Sequence, residues 1–229
     1  MQVLPAKLLL LLLSVSACRA FAPSLPLPRT SGSIFCKAAT AMSAAPLRVL
    51  VLHGKGDTKE NFSGVLTPLQ EGVKAPGGRE IQWDFLTAPH EIMPGRFAWW
   101  TLPPGVRSFD ATEYLGIDES FRVIEEAWQQ DGPYDAILGH SQGAIILSVV
   151  IAKALLEGGA VKPKFGILCG AAWPKPFEAL MTKLGGLDWG TVQDPPRTLH
   201  CYSPQDSINP PDMAMRIKAL CGPGASAYV

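Results

Sequence analysis

The 229-residue sequence lacks a surplus of charge of either sign, since 20 lysine and arginine residues balance 20 aspartate and glutamate residues. A protein that binds nucleic acid or an anionic membrane surface usually carries a basic excess. We therefore expect no nucleic-acid partner, and a small-molecule substrate fits the composition better. Nothing in the composition indicates an oligomeric state.

Cysteine is scarce in the part of the chain that is expected to fold. Of the five cysteines, Cys18 and Cys36 precede the first predicted strand, which leaves Cys169, Cys201 and Cys221. An odd number without C-x-x-C or metal-ligand spacing favours neither a disulfide framework nor a zinc site. We expect no metal and no cofactor, and we interpret Cys169 and Cys201, which lie in apolar runs, as buried small hydrophobic residues.

The N-terminal region contains no acidic residue, because the first one in the chain is Asp57. The apolar run Leu8–Leu13 is too short to span a bilayer and precedes small residues, which predicts a signal peptide over residues 1–20. Residues 21–45 are rich in hydroxyl side chains, a composition typical of a transit peptide. This order, with Phe21 after the cleavage site, resembles the bipartite plastid presequence of algae with red-lineage secondary plastids. We expect plastid targeting, with secretion as the alternative and no stable membrane span.

Strand-like and helix-like segments alternate from residue 46 onward. The predicted strands are rich in branched apolar residues and cover residues 48–53, 81–86, 134–138, 165–169 and 198–202. The predicted helices cover residues 117–128, 144–156 and 212–220. The alternation predicts an α/β fold, with a mostly parallel sheet covered by helices on both faces, in one domain over residues 46–229. Segment 88–115, rich in proline, glycine and aromatic residues, is predicted to be a long functional loop.

One pentapeptide, Gly139-His140-Ser141-Gln142-Gly143, lies between a predicted strand and a predicted helix. A serine on such a sharp turn is the nucleophile elbow of an α/β-hydrolase fold. The strained turn needs glycine at both ends, because strand and helix close around the serine. Ser141 is therefore the predicted nucleophile. The backbone N–H of Gln142, at the helix N-terminus, is a predicted donor to the oxyanion.

Further segments accompany the elbow in a fixed order along the chain. They are Val51-Leu52-His53-Gly54, Asp84-Phe85-Leu86-Thr87-Ala88-Pro89-His90-Glu91, Trp99-Trp100 and Gly132-Pro133-Tyr134-Asp135. Together with the elbow they resemble the FSH family of serine hydrolases, from about Leu47 to the last residue. The resemblance implies an α/β-hydrolase fold and cleavage of a carboxylic ester or thioester through an acyl-serine intermediate. One departure is His140, where the family commonly has phenylalanine, and we interpret it as a packing substitution.

The resemblance also implies the remaining site residues. It places the second oxyanion donor on the turn after the first strand, at the main chain of Lys55 or, less favourably, Gly54. Asp206 lies in a loop that resembles the family's loop carrying the triad aspartate. The long loop is expected to cover an apolar acyl pocket. The substrate-binding residues predicted there are His90, Trp99 and Trp100.

The sequence does not supply a general base at the expected position. In this fold the triad residues follow one another along the chain in the order serine, acid, histidine. No histidine follows Asp206. In the family the base follows one further strand, and the sequence ends at Val229 in what we expect to be that strand, so we expect a C-terminus truncated before the base. His53, His90 and His200 are weaker candidates, because His53 precedes the serine and His200 lies within a predicted strand.

Three classes of function stay open at this point. The first is a serine hydrolase acting on an ester or thioester. The second is a hydrolase-fold binding protein whose catalysis is impaired because the triad histidine is missing. The third is an enzyme of the acyl-protein thioesterase or phospholipase type, which shares the fold and a similar elbow. The segments Pro89-His90-Glu91 and Trp99-Trp100 favour the first class over the third.

Overall fold

The computed structural model describes residues 45–106 and 111–229, so the predicted signal and transit segments lie outside it. Its strands are β1 Leu47–Leu52, β2 Ile81–Leu86, β3 His90–Met93, β4 Arg96–Ala98, β5 Ala136–His140, β6 Phe165–Cys169, β7 Arg197–Cys201 and β8 Ala225–Tyr228. Its α-helices are α1 Lys59–Gly72, α2 Ile117–Gln130, α3 Gln142–Leu156, α4 Glu178–Gly185 and α5 Pro211–Leu220. Two 3₁₀ turns lie at residues 76–78 and 175–177.

Six of the strands form one parallel sheet in the order β2-β1-β5-β6-β7-β8, and β3 pairs with β4 in a separate antiparallel ribbon. The chain runs outward from β1 to β2 and then returns to β5 on the other side of β1. Such a reversal opens a crevice beyond the carboxyl ends of the two central strands, which is where ligands bind in open α/β sheets. The predicted α/β class and parallel sheet are confirmed.

Side chains of the central strands alternate between the two faces of the sheet. On β1, Leu50 and Leu52 belong to one apolar core, whereas Val49 and Val51 belong to the other. Helix α1 covers the second core through buried side chains such as Phe62, and the other four described helices contribute to the first core. Burial of both faces explains why these strands read as continuous apolar runs.

The predicted elements are confirmed with small shifts at their ends, but helices α1 and α4 and strands β3 and β4 were missed. Helix α1 escaped the sequence analysis because it contains Gly64 and Pro68, and α4 has only 8 residues. The segment predicted as a long loop is partly folded, because it contains the β3–β4 ribbon and an antiparallel bridge between Thr101 and Leu115. Cys201 is buried as predicted, whereas Cys169 is only partly buried. Across the described ranges no helix is long and apolar enough to cross a membrane.

Candidate active site

Ser141 lies at the junction where β5 ends and α3 begins, with φ 50° and ψ −114°. A positive φ outside glycine is a strained conformation that costs about 1–3 kcal/mol and persists only where the surroundings hold it. Here the Ser141 N–H donates to the Cys169 carbonyl at 2.9 Å, and the Ser141 carbonyl accepts from the N–H groups of Ala144 and Ile145 at 2.9 Å. The serine is thus held at the carboxyl end of the sheet in the conformation that the elbow requires.

The glycines that flank Ser141 allow two close backbone approaches. A Cβ added to Gly139 would lie 2.3 Å from the Gly143 carbonyl oxygen. A Cβ added to Gly143 would lie 2.3 Å from the carbonyl oxygen of Leu52, at the end of β1. Both distances are far inside van der Waals contact. The prediction that the turn needs glycine at both positions is therefore confirmed.

The two predicted oxyanion donors come from opposite sides of the crevice. Gln142 is the first residue of α3, so its N–H has no intrahelical acceptor and lies at the positive end of the helix dipole. Gly54, in the turn after β1, lies beside the serine: a Cβ built on it would be 3.4 Å from Ser141 Cβ. Lys55 follows in an exposed part of the same turn. The turn therefore borders the serine, and the choice between Lys55 and Gly54 as donor stays a prediction.

Asp206 lies in the loop after β7, beside the end of β6. Its Oδ1 accepts the backbone N–H groups of Ile208 and Asn209, both at 2.9 Å. Its Oδ2 would be 3.7 Å from a Cβ on Gly170, the residue that follows β6. The backbone thus fixes one carboxylate oxygen and leaves the second for another partner, which is the arrangement that an orienting acid needs.

Asn209 is a site residue that the sequence analysis missed. Its side-chain Nδ2 donates to Ser141 Oγ at 3.4 Å, across 68 positions of sequence. No pattern in the sequence marks this asparagine, because the contact depends on how the β7 loop folds over the elbow. Together, Asn209 and Asp206 bring this loop to the serine.

His53 and His200 have packing roles in the structure. The Nδ1 atom of His53 lies 2.6 Å from the Gly54 carbonyl oxygen, and its Nε2 accepts the Ala88 N–H at 2.9 Å. Both ring nitrogens are therefore engaged, and burial lowers the pKa of His53. His200 contacts Thr198 Oγ1 through Nε2 at 3.1 Å, and burial lowers the pKa of His200 to about 4. Neither ring is placed as a general base.

The remaining histidines are also engaged elsewhere. His140 stacks on Phe62 with 5.5 Å between ring centroids, which agrees with its interpretation as a packing substitution. Burial lowers the pKa of His140, while the charges of Asp57 and Asp206 oppose this change. His90 is half-buried, and its Nε2 lies 2.7 Å from the carbonyl oxygen of Gly116. Within the described residues, Ser141 Oγ is hydrogen-bonded to Asn209 and to no histidine.

The structure places Trp99 and Trp100 in the core. Trp99 is 0% exposed, and its indole N–H donates to the His53 carbonyl at 2.8 Å. Trp100 is 4% exposed and stacks on Tyr114 with 4.2 Å between ring centroids. Because the side chains of Trp99 and Trp100 are almost inaccessible to solvent, their burial does not favour the predicted contact with substrate. Both indoles belong to the apolar core, and the backbone of both residues is hydrogen-bonded to the Gln142 side chain.

A cleft of about 590 Å³ lies beside the edge strand β2, lined by residues that include Arg48, Trp83, Asp84 and Tyr134. None of the predicted site residues lines it. We therefore do not assign this cleft to the acyl chain of a substrate.

Comparison with protein families and individual relatives agrees with this geometry. A family model described as serine hydrolase (FSH1) matches residues 42–228. Esterase CG5412 of Drosophila melanogaster is 27% identical over 186 residues, which cover 76% of this chain and 62% of that protein. Esterase OVCA2 of Danio rerio is 27% identical over 148 residues, or 54% of this chain and 62% of that protein. The chain thus spans about three fifths of the length of these curated relatives.

Two solved structures share the fold. A crystal structure of esterase PE8 has a TM-score of 0.57 at 20% identity and covers 81% of each chain. The crystal structure of acyl-protein thioesterase 2 from Zea mays has a TM-score of 0.56 at 19% identity, and the match covers 82% of this chain and 86% of that one. At these identities the two structures support the fold alone.

Proposed function

Because the chain belongs to the FSH1 family of serine hydrolases, we propose that it cleaves a carboxylic ester or thioester through an acyl-serine intermediate at Ser141. The observation that carries this proposal is the conformation of Ser141, at φ 50° between β5 and α3, with the β1 and β7 loops beside its side chain. A strained serine at the switch point of a parallel sheet is what an elbow nucleophile requires.

Each neighbouring group has a place in the proposed reaction. The Ser141 hydroxyl attacks the acyl carbonyl and gives its proton to a general base, which the described residues do not identify. The resulting oxyanion accepts hydrogen bonds from the N–H of Gln142 and from the main chain of Lys55 or Gly54. Its collapse breaks the bond to the leaving group, which takes that proton and departs as the alcohol or thiol. Asp206 orients the general base, with Oδ2 as the acceptor because Oδ1 is already held by two backbone N–H groups. Water then attacks the acyl-serine and releases the acid.

A second candidate function is a hydrolase-fold binding protein with impaired turnover. One observation favours it: in the described part of the chain no histidine is hydrogen-bonded to Ser141 Oγ. The acyl-protein thioesterase alternative gains no specific support, since the maize structure shares only the fold.

Covalent labelling distinguishes these proposals. The 229-residue protein is treated with a fluorophosphonate probe in the presence of imidazole as an external base, and hydrolysis of p-nitrophenyl and thioester substrates is measured in parallel. The proposed nucleophile predicts labelling that is lost in Ser141→Ala. The matched control is Ser148→Ala in α3, whose buried hydroxyl donates to the Ile145 carbonyl at 2.6 Å, and it is expected to keep the label. Labelling that persists in Ser141→Ala would refute the nucleophile, and labelling without turnover would favour the binding protein.

The plastid destination is a separate proposal. Its support is the acid-free, hydroxyl-rich segment 21–45 behind a signal-peptide-like region. A fusion of residues 1–45 to a fluorescent protein is expected to enter the plastid of an alga with a secondary plastid, and Phe21→Ala is expected to divert it. Secretion of the unmodified fusion would contradict the proposal.

A further inference from the structure

Two cysteines end neighbouring parallel strands at the same level of the sheet. Cys169 is the last residue of β6, Cys201 is the last residue of β7, and the two are register partners. Register partners on adjacent parallel strands project to the same face, and the strands lie about 4.7–4.9 Å apart. The two thiols are therefore side by side, although 31 residues separate them in the sequence.

The register pairing brings the two side chains close together. The neighbouring Cys169 thiol, together with burial, raises the pKa of the Cys201 thiol. Both cysteines are free. Cys201 is buried among apolar side chains while Cys169 is partly accessible, so a reagent reaches Cys169 first.

Backbone hydrogen bonds hold the pair in position. The Cys169 carbonyl accepts the Ser141 N–H at 2.9 Å, and the Cys201 carbonyl accepts the Gly170 N–H at 2.8 Å. The strand ends that carry the two thiols are thus fixed by the elbow and by the turn that follows β6. A site with two ligands already in place loses little entropy when both bind the same atom.

We propose that Cys169 and Cys201 form a dithiol site for a soft, thiol-seeking electrophile of the organic trivalent arsenic class. In the first step the Cys169 sulfur bonds to an arsenic(III) hydroxide, its proton combines with the departing hydroxide, and water leaves. In the second step the Cys201 sulfur displaces the remaining hydroxide in the same way. Arsenic stays trivalent and neither sulfur is oxidised, so no further reactant is needed.

The ligand set favours this class over a zinc-like cation. Structural zinc takes four ligands of cysteine, histidine or carboxylate type. Among the described residues, no group of three or more such side chains is placed to hold a metal ion. Two sulfurs without further donors suit an electrophile that needs two thiolate bonds.

The probe is phenylarsine oxide, and adduct formation is followed by intact mass. The full chain carries Cys18→Ser and Cys36→Ser, so that only Cys169, Cys201 and Cys221 remain. One adduct per chain is expected, stable to excess glutathione and released by a small dithiol. Cys169→Ser and Cys201→Ala are each expected to weaken binding about 10²–10⁴-fold, the usual gain from a second linked contact.

Cys221→Ala is the matched control. The Cys221 thiol is also buried, but it donates to the Ile217 carbonyl at 3.3 Å and is not paired with a second cysteine, so its removal is expected to leave binding unchanged. Circular dichroism first checks that each variant is folded, and Cys169→Ala is a second variant at the partly accessible position. Undiminished binding in folded Cys169 and Cys201 variants, or loss of the adduct in Cys221→Ala, would overturn the proposal.

Discussion

The side-chain carbonyl of Gln142 accepts the backbone N–H of Trp99 at 3.0 Å, across 43 positions of sequence. The same side chain donates through Nε2 to the Trp100 carbonyl at 3.3 Å. Gln142 adjoins the nucleophile, so its side chain joins the elbow to the segment after β4 while its backbone N–H faces the proposed oxyanion. One residue thus supports the packing of the elbow and, in the proposed reaction, its chemistry.

Replacing Gln142 by methionine should lower the free energy of unfolding by about 1–3 kcal/mol, because the buried Trp99 N–H would lose its acceptor. Urea titration measures the change. Gln142→Glu keeps an acceptor oxygen and should be less harmful to this bond. Gln129→Met, at a side chain on the exposed face of α2, should stay within about 0.5 kcal/mol of the wild type. If Gln142→Met and Gln129→Met had the same free energy of unfolding, the structural role assigned to Gln142 would be wrong.

Gly143→Ala should destabilise the protein and abolish probe labelling, because the new Cβ would lie 2.3 Å from the Leu52 carbonyl oxygen. Gly64 provides the opposite case, since it lies within α1 and an added Cβ would meet nothing within 4 Å. Gly64→Ala should therefore stabilise the protein by about 0.5–1 kcal/mol through the lower entropy of the unfolded chain. Urea titrations of both variants measure the changes in the free energy of unfolding. A Gly143→Ala variant as stable as the wild type would contradict the close packing described for the elbow.

The stability of the protein should depend on pH through His200. Burial, and then the charge of Lys218, lower the pKa of His200 from 6.5 to about 4. Between pH 6.5 and 4 His200 is therefore protonated in the unfolded chain and neutral in the folded protein. The contribution of neutral His200 to the free energy of unfolding is complete above pH 6.5 and is lost as the pH falls towards 4. The slope for one group is about 1.4 kcal/mol per pH unit.

Urea titrations at several pH values should show a shallower slope for His200→Gln than for the wild type. Identical slopes for the wild type and His200→Gln would show that His200 is not a buried neutral histidine.

Imidazole should act as an external general base for Ser141. Since no described histidine bonds to Ser141 Oγ, the 229-residue chain should retain only about 10³–10⁴-fold of rate enhancement over water, the level left when one triad member is missing. Added imidazole should raise p-nitrophenyl acetate hydrolysis, and Ser141→Ala measures the direct attack of imidazole on the ester. High turnover that imidazole does not change would identify one of the chain's own histidines as the base.

Local sequence predicted most of the sheet because its strands are buried on both faces and carry continuous branched apolar runs. It did not predict α1, where Gly64 and Pro68 oppose helix formation and packing of Phe62 and Leu69 on the sheet overrides that preference. The elbow could be predicted for a related reason, since strand, glycines, serine and helix are all contiguous.

The rest of the site depends on contacts between distant residues. The bonds from Asn209 to Ser141 and from Trp99 to Gln142 form only when separate loops meet, and no residue pattern encodes that meeting. The burial of Trp99 and Trp100 could not be predicted for the same reason. Composition indicates that an indole will be buried against something, but it does not distinguish the core from an acyl chain.

The environment of Ser141 depends on the register between the central strands β1 and β5. Leu52 pairs with Gly139, and this pairing brings the Gly54 turn beside Ser141 and Gly143 against β1. A slip of one residue would turn every side chain of a strand to the opposite face and separate these groups. If Ser141 is the nucleophile as proposed, its covalent labelling therefore reports only those molecules whose two central strands are correctly aligned.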